Sequence, residues 1–138
     1  MAEKAIEKVQ VGFKASVSKT ITPEVIRKFA EVSEDHNPLH LDEEYAKKTV
    51  FGERIAHGIL AVGFISAALT KLPGTVVYLS QTVEFSKPVK IGDTIEAIVE
   101  VEEITREKSQ VKLKTYCQNQ RGEQVLRGEA KVKLFDLK

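Results

Sequence analysis

His57-Gly58-Ile59-Leu60-Ala61-Val62-Gly63-Phe64-Ile65-Ser66-Ala67-Ala68-Leu69-Thr70-Lys71 suits a helix throughout, yet its large residues leave almost no polar face. A helix that is apolar nearly all round is buried nearly all round. Leu72-Pro73-Gly74 then stops it. The apolar or small run within it, Gly58 to Leu69, is 12 residues long. Roughly 20 are needed to cross a bilayer, so this helix belongs inside a protein core.

What surrounds that helix follows from the periods on either side. Downstream, 76–85, 94–104, 111–117 and 125–135 are rich in β-formers. Turn signals divide them: Lys87-Pro88 with Ile91-Gly92-Asp93, then Arg106-Glu107-Lys108, then Asn119-Gln120-Arg121-Gly122. Val111, Leu113, Thr115 and Cys117 fall on one face, as do Ala130, Val132 and Leu134. Upstream, Val9, Val11, Phe13, Ala15 and Val17 alternate as a strand does. Thr22-Pro23-Glu24 opens an amphipathic helix with a hydroxyl cap, proline at the first position and an acid in the first turn. That helix runs out near Ser33. Residues 34–41 carry no helical period and contain Pro38, which reads as a shaped loop. Asp42 caps a short helix over 43–48. Helices come early and strands late, so the chain is α+β with a mostly antiparallel sheet. One buried helix and one long sheet are reconciled if the sheet wraps around the helix. The sheet's edge strand then needs a partner, and a homodimer or larger homo-oligomer is expected.

Composition narrows the function. The 138 residues fit one domain, 1–138, with no repeat or linker dividing them. With 21 basic and 20 acidic residues, the net charge of +1 argues for neither nucleic acid nor a bare membrane surface. Cys117 stands alone, so no internal disulfide or cysteine metal site is expected, and it reads as a core thiol. Met1-Ala2-Glu3-Lys4 carries charge where a signal peptide carries its apolar run, which points to a cytoplasmic protein.

The histidines at 36, 40 and 57 are the only three in the chain. They lie beside Phe29-Ala30-Glu31-Val32-Ser33-Glu34-Asp35-His36-Asn37-Pro38-Leu39-His40, with Ala46 six residues beyond. This stretch strongly resembles the signature of the MaoC-like (R)-specific enoyl-CoA hydratases, in which Asp-x-Asn-Pro-x-His is central. Arg54-Ile55-Ala56-His57-Gly58 and Phe85-Ser86-Lys87-Pro88-Val89-Lys90-Ile91-Gly92-Asp93 also look like that family. The resemblance implies a single hot-dog domain, a sheet wrapped around one central helix with an overhanging catalytic helix-loop segment. It further implies a hydro-lyase that adds water to trans-2-enoyl-CoA, reversibly, to give (R)-3-hydroxyacyl-CoA. Glu34 departs from the pattern, since the family usually has glycine there. A position that needs positive φ would be strained by glutamate.

The resemblance assigns Asp35 and His40 as the catalytic pair, acting on one water. A carboxylate and an imidazole about one water apart can hold that water and move its protons. Asn37 and Pro38 shape the bend between them, and His57 is expected to fix local geometry at the helix start. His36 reads as solvated. Gly58 is the candidate oxyanion donor, because the first N–H groups of a helix have no intrahelical partner. No metal and no cofactor is expected beyond the CoA that the substrate carries. Lys87, Lys90 and Arg54 are weaker candidates for contact with CoA phosphates.

Three other readings compete. A 3-hydroxyacyl-acyl-carrier-protein dehydratase would use the same loop. A hot-dog thioesterase would place a carboxylate on or near the central helix, but residues 58–70 contain no Asp or Glu. A non-catalytic acyl-CoA binder would keep the fold and lose the chemistry, and Glu34 is the only feature that favours it.

Overall fold

A computed structural model describes residues 3–138. The N-terminal expectation lies outside them insofar as it rests on Met1 and Ala2. The sheet contains β1 (Lys14–Thr20), β2 (Thr75–Gln81), β3 (Glu84–Phe85), β4 (Thr94–Thr105), β5 (Gln110–Gln118) and β6 (Gln124–Phe135). Its order is β1-β4-β5-β6-β2, every pairing is antiparallel, and β3 also pairs with β6. Among the described residues four α-helices accompany it: α1 (Pro23–Ser33), α2 (Pro38–Leu41), α3 (Glu43–Lys47) and α4 (Gly58–Leu69).

The expected inward faces are the core. Val111, Leu113, Thr115, Cys117, Ala130, Val132 and Leu134 are all buried, and α4 packs across β1, β4 and β5. On α1, Thr22 Oγ1 accepts from the Val25 N–H at 3.1 Å, a cap that contributes about 1 kcal/mol. Ile26 and Ala30 bury its apolar stripe.

Four expectations need correction. The first strand starts at Lys14, not near Val9: the chain makes a 3-10 turn over Ala5–Lys8, then bends at Gly12, whose φ is +94°. Ile6 and Val9 plug the core from that turn, while Val11 and Phe13 face outward. A short alternating run thus mimicked a strand. The segment 76–85 is two strands, with a bulge after Tyr78. Gly128 opposes the break, and a Cβ there would lie 1.7 Å from the Thr82 carbonyl oxygen, so β6 admits the crossing backbone only as glycine. Residues 34–41 are not all loop, because Pro38 starts the single helical turn α2, too short to show a period. Finally, α4 is buried on one side only. Ala61, Ile65, Ala68 and Leu69 pack inward, but Ile59 is 51% exposed, because the sheet of one chain covers only the side it faces.

Candidate active site

Between Phe29 and His40, three side chains in succession reach the backbone and hold the bend. Ser33 Oγ donates to the Phe29 carbonyl at 2.6 Å and accepts from the Asp35 N–H at 3.1 Å. Asp35 Oδ1 accepts from the Asn37 N–H at 3.2 Å, and Asn37 Oδ1 caps α2 by accepting from the Leu39 N–H at 3.0 Å. Pro38 sits at the first position of that turn, which carries His40 back toward Asp35. Glu34, which ends α1, has φ +64°, so this position does adopt the left-handed conformation that favours glycine.

The chain thereby brings Asp35, His40 and His57 together, with ligand-capable atoms within 4.8 Å of one another. His40 is buried, and its Nδ1 lies 2.7 Å from the Ile55 carbonyl oxygen. A carbonyl only accepts, so Nδ1 carries the proton and Nε2 keeps its lone pair. His57 is 2% exposed, and its Nε2 lies 3.0 Å from the Asp35 carbonyl oxygen. By the same reasoning its Nδ1 holds a lone pair, and that atom has no hydrogen-bond partner among the described residues. Burial lowers the His57 pKa, partly opposed by the bond to the Asp35 carbonyl, which favours the neutral form of this ring. The rings of His40 and His57 lie against each other, tilted by 38° with centroids 4.0 Å apart, and Phe29 closes on His57 at 4.8 Å.

Asp35, His40 and His57 line a cavity of about 570 Å³. Gly58, also on its wall, starts α4 after His57, which supplies no side-chain cap. A Cβ at Gly58 would lie 2.9 Å from the Phe85 ring, so the glycine makes room for an aromatic wall. His36 is exposed and stands outside the cluster. Arg54 Nε donates to the His40 carbonyl at 2.9 Å, which gives it a bracing position. Lys87 pairs with Glu123 at 2.8 Å, and Lys90 with Glu53 at 3.6 Å. Sequence reasoning missed Ser33, the Ile55 carbonyl and the Phe85 wall. A serine two residues before Asp35 carries a weak capping signal; a backbone carbonyl carries none.

A model of the MaoC like domain matches residues 4–121. An (R)-specific enoyl-CoA hydratase of Rhodospirillum rubrum is 47% identical over 128 residues, covering 91% of this chain and 88% of that protein. A 3-hydroxybutyryl-CoA dehydratase of Methylorubrum extorquens is 45% identical, covering 93% and 82%. The solved (R)-hydratase from Aeromonas caviae involved in PHA biosynthesis superposes with a TM-score of 0.89 at 40% identity, over 94% of this chain and 99% of that one. The sheet and its central helix are therefore the hot-dog fold. With the fold and most of the sequence agreeing, the chain belongs to the MaoC-like domain family.

Proposed function

We propose that this chain is a hydro-lyase that adds water to trans-2-enoyl-CoA, reversibly, to give (R)-3-hydroxyacyl-CoA. The observation that carries the reading is the fixed tautomer of His40: its Nδ1 is committed to Ile55, which leaves Nε2 as the free nitrogen of a ring clustered with Asp35. Two acceptors within 4.8 Å can share one water. Asp35 accepts one water hydrogen and orients the oxygen. His40 Nε2 takes the other proton as the oxygen bonds to the β-carbon. The alkene π pair moves toward the thioester, and its oxygen becomes negative against the Gly58 N–H at the helix start. The imidazolium then returns its proton to the α-carbon, and the site is restored. Asp35 stabilises that imidazolium while it exists. Water and proton come from one side of the bound enoyl group, which supports a single product hand. The names of the relatives support coenzyme A as the carrier. The absence of Asp and Glu from α4 weighs against a thioesterase.

The active form in this reading is at least a dimer, in the cytoplasm. Edge strand β2 leaves Val77 and Leu79 exposed, and α4 leaves Ile59 exposed, which supports an apolar interface with a second copy. The lone buried thiol suits a reducing compartment. Among the described residues no helix is long and apolar enough to cross a membrane.

The test mixes the protein with crotonyl-CoA and follows loss of the enoyl-thioester absorbance, then resolves the product's chirality. The expected product is (R)-3-hydroxybutyryl-CoA. Free thiol in its place overturns the reading. A parallel assay with crotonyl-acyl-carrier protein decides the carrier.

A further inference from the structure

We infer that Asp35, His40 and His57 form a binding site for a divalent ion of the zinc class, and that Zn²⁺ bound there blocks hydration. The inference rests on the reading of this pocket as a hydratase site only in its second half. The first half stands on three observations. The three side chains offer ligand atoms within 4.8 Å of one another. Both imidazoles donate their other N–H to a backbone carbonyl, His40 to Ile55 and His57 to Asp35. Metal-binding histidines are ordinarily oriented in that way, since the outer hydrogen bond fixes the tautomer and makes the free nitrogen more basic. The third observation is His57 Nδ1, a buried lone pair without a hydrogen-bond partner among the described residues. A hydration reaction has no use for it, whereas a cation would satisfy it.

Two nitrogens and one carboxylate oxygen suit Zn²⁺, Co²⁺ or Ni²⁺ better than Mg²⁺ or Ca²⁺, which prefer all-oxygen shells. Metal bonds of about 2.0–2.2 Å require the ligand atoms to draw closer than they now lie. The Asp35 carboxylate is the ligand that can turn inward, because only its Oδ1 is engaged, by Asn37, while its backbone N–H and carbonyl stay held by Ser33 and His57. Three protein ligands leave a fourth position for water, as in open zinc sites. The ion would take up the His40 Nε2 lone pair and the Asp35 carboxylate together. Both are the groups that the hydration reaction needs, so metal and turnover exclude each other.

The test titrates the chelator-stripped protein with ZnCl₂ against a chromophoric zinc indicator. One Zn²⁺ per chain is expected. Affinity should fall at least tenfold in His57→Ala and in Asp35→Asn, and stay unchanged in His36→Ala. Hydration of crotonyl-CoA should fall in step with occupancy and return on chelation. Should His57→Ala not fold, Co²⁺ added to the unaltered protein supplies the answer: intense visible bands of a four-coordinate site are expected, and the pale spectrum of six-coordinate Co²⁺ overturns the inference. It is also overturned by failure to compete with the indicator, by binding that survives His57→Ala, or by binding lost in His36→Ala. A chain that ignores zinc yet hydrates crotonyl-CoA removes this inference and leaves the hydratase reading standing. A chain that binds zinc through these residues without hydrating does the reverse.

Discussion

The loop leading to His40 and the start of α4 meet at one cavity but are built in opposite ways. From Ser33 to Leu39 the loop's own side chains hold its backbone N–H groups, and His57 takes the Asp35 carbonyl. At the start of α4, His57 gives no side-chain cap, and Gly58 follows without a side chain. Helix N-termini usually receive such a cap. Its omission here leaves the helix start without a side-chain acceptor, and Gly58 lies on the cavity wall. In the proposed reaction the self-braced loop positions the groups that move protons, and the uncapped helix start meets the charge that develops on the thioester oxygen.

Removing the positioned groups breaks the comparison most severely. Asp35→Asn and His40→Ala should each lower kcat for crotonyl-CoA hydration by about 10²–10⁴-fold, the contribution of positioned acid–base groups. Circular dichroism and thermal midpoints should stay near those of the unaltered chain for Asp35→Asn, whose shape is conserved. A fall of less than fivefold in both variants, with folding intact, removes these residues from the chemistry.

The helix start is challenged by Gly58→Ala. The N–H remains, but the new methyl lies against the Phe85 ring at 2.9 Å. Displacement of the ring and the bound thioester should cost about ten- to a hundredfold in kcat/KM. Gly58→Ala combined with Phe85→Ala should recover part of that loss. If the double variant is no better than Gly58→Ala alone, Phe85 is not what the methyl disturbs.

How much of this was legible in the sequence depends on the range of the signal. Thr22-Pro23 announced α1, and the strands over 94–135 fell within a residue of their observed ends, because capping and alternation are local. Val9 failed for a related reason: five alternating residues fit a strand, and nothing local reveals that Gly12 turns the chain. The motif drew attention to Asp35 and His40, and the buried helix to Gly58. What stayed hidden depends on distant backbone. Ile55 O is 15 residues from His40 and Asp35 O is 22 from His57, yet these carbonyls set both tautomers. The exposure of Ile59 was equally out of reach, since an all-apolar helix does not say whether its own chain covers it.

Within the self-braced loop, Asn37 tests whether its cap matters. Asn37→Ala removes the acceptor for the Leu39 N–H and should cost about 1 kcal/mol of stability, read from a shift in the denaturant midpoint. The hydration rate should fall by less than tenfold, because Pro38 still sets φ at the first turn position. Asn37→Ser restores a capping oxygen and should recover most of the midpoint. An unchanged midpoint in Asn37→Ala shows that solvent replaces the cap.

Glu34 gives the smallest effect and separates strain from chemistry. Its φ of +64° is real, so the glycine that the family usually carries there would relieve a backbone conformation costing an L-residue about 1–2 kcal/mol. Glycine also gives the unfolded chain more freedom, which offsets about 0.5–1 kcal/mol of that relief. Glu34→Gly should therefore stabilise the protein by less than about 1 kcal/mol in a denaturant titration. The rate is another matter. Asp35 is held from the far side of Glu34, by Ser33 Oγ on its N–H and by His57 on its carbonyl. Neither bond depends on the residue 34 side chain, which is exposed. The hydration rate should then change by less than about twofold, well under the step that misplaced catalytic groups produce. A tenfold gain would mean that the carboxylate of Glu34 disturbs Asp35 electrostatically, and the loop would be a handicapped version of its family's.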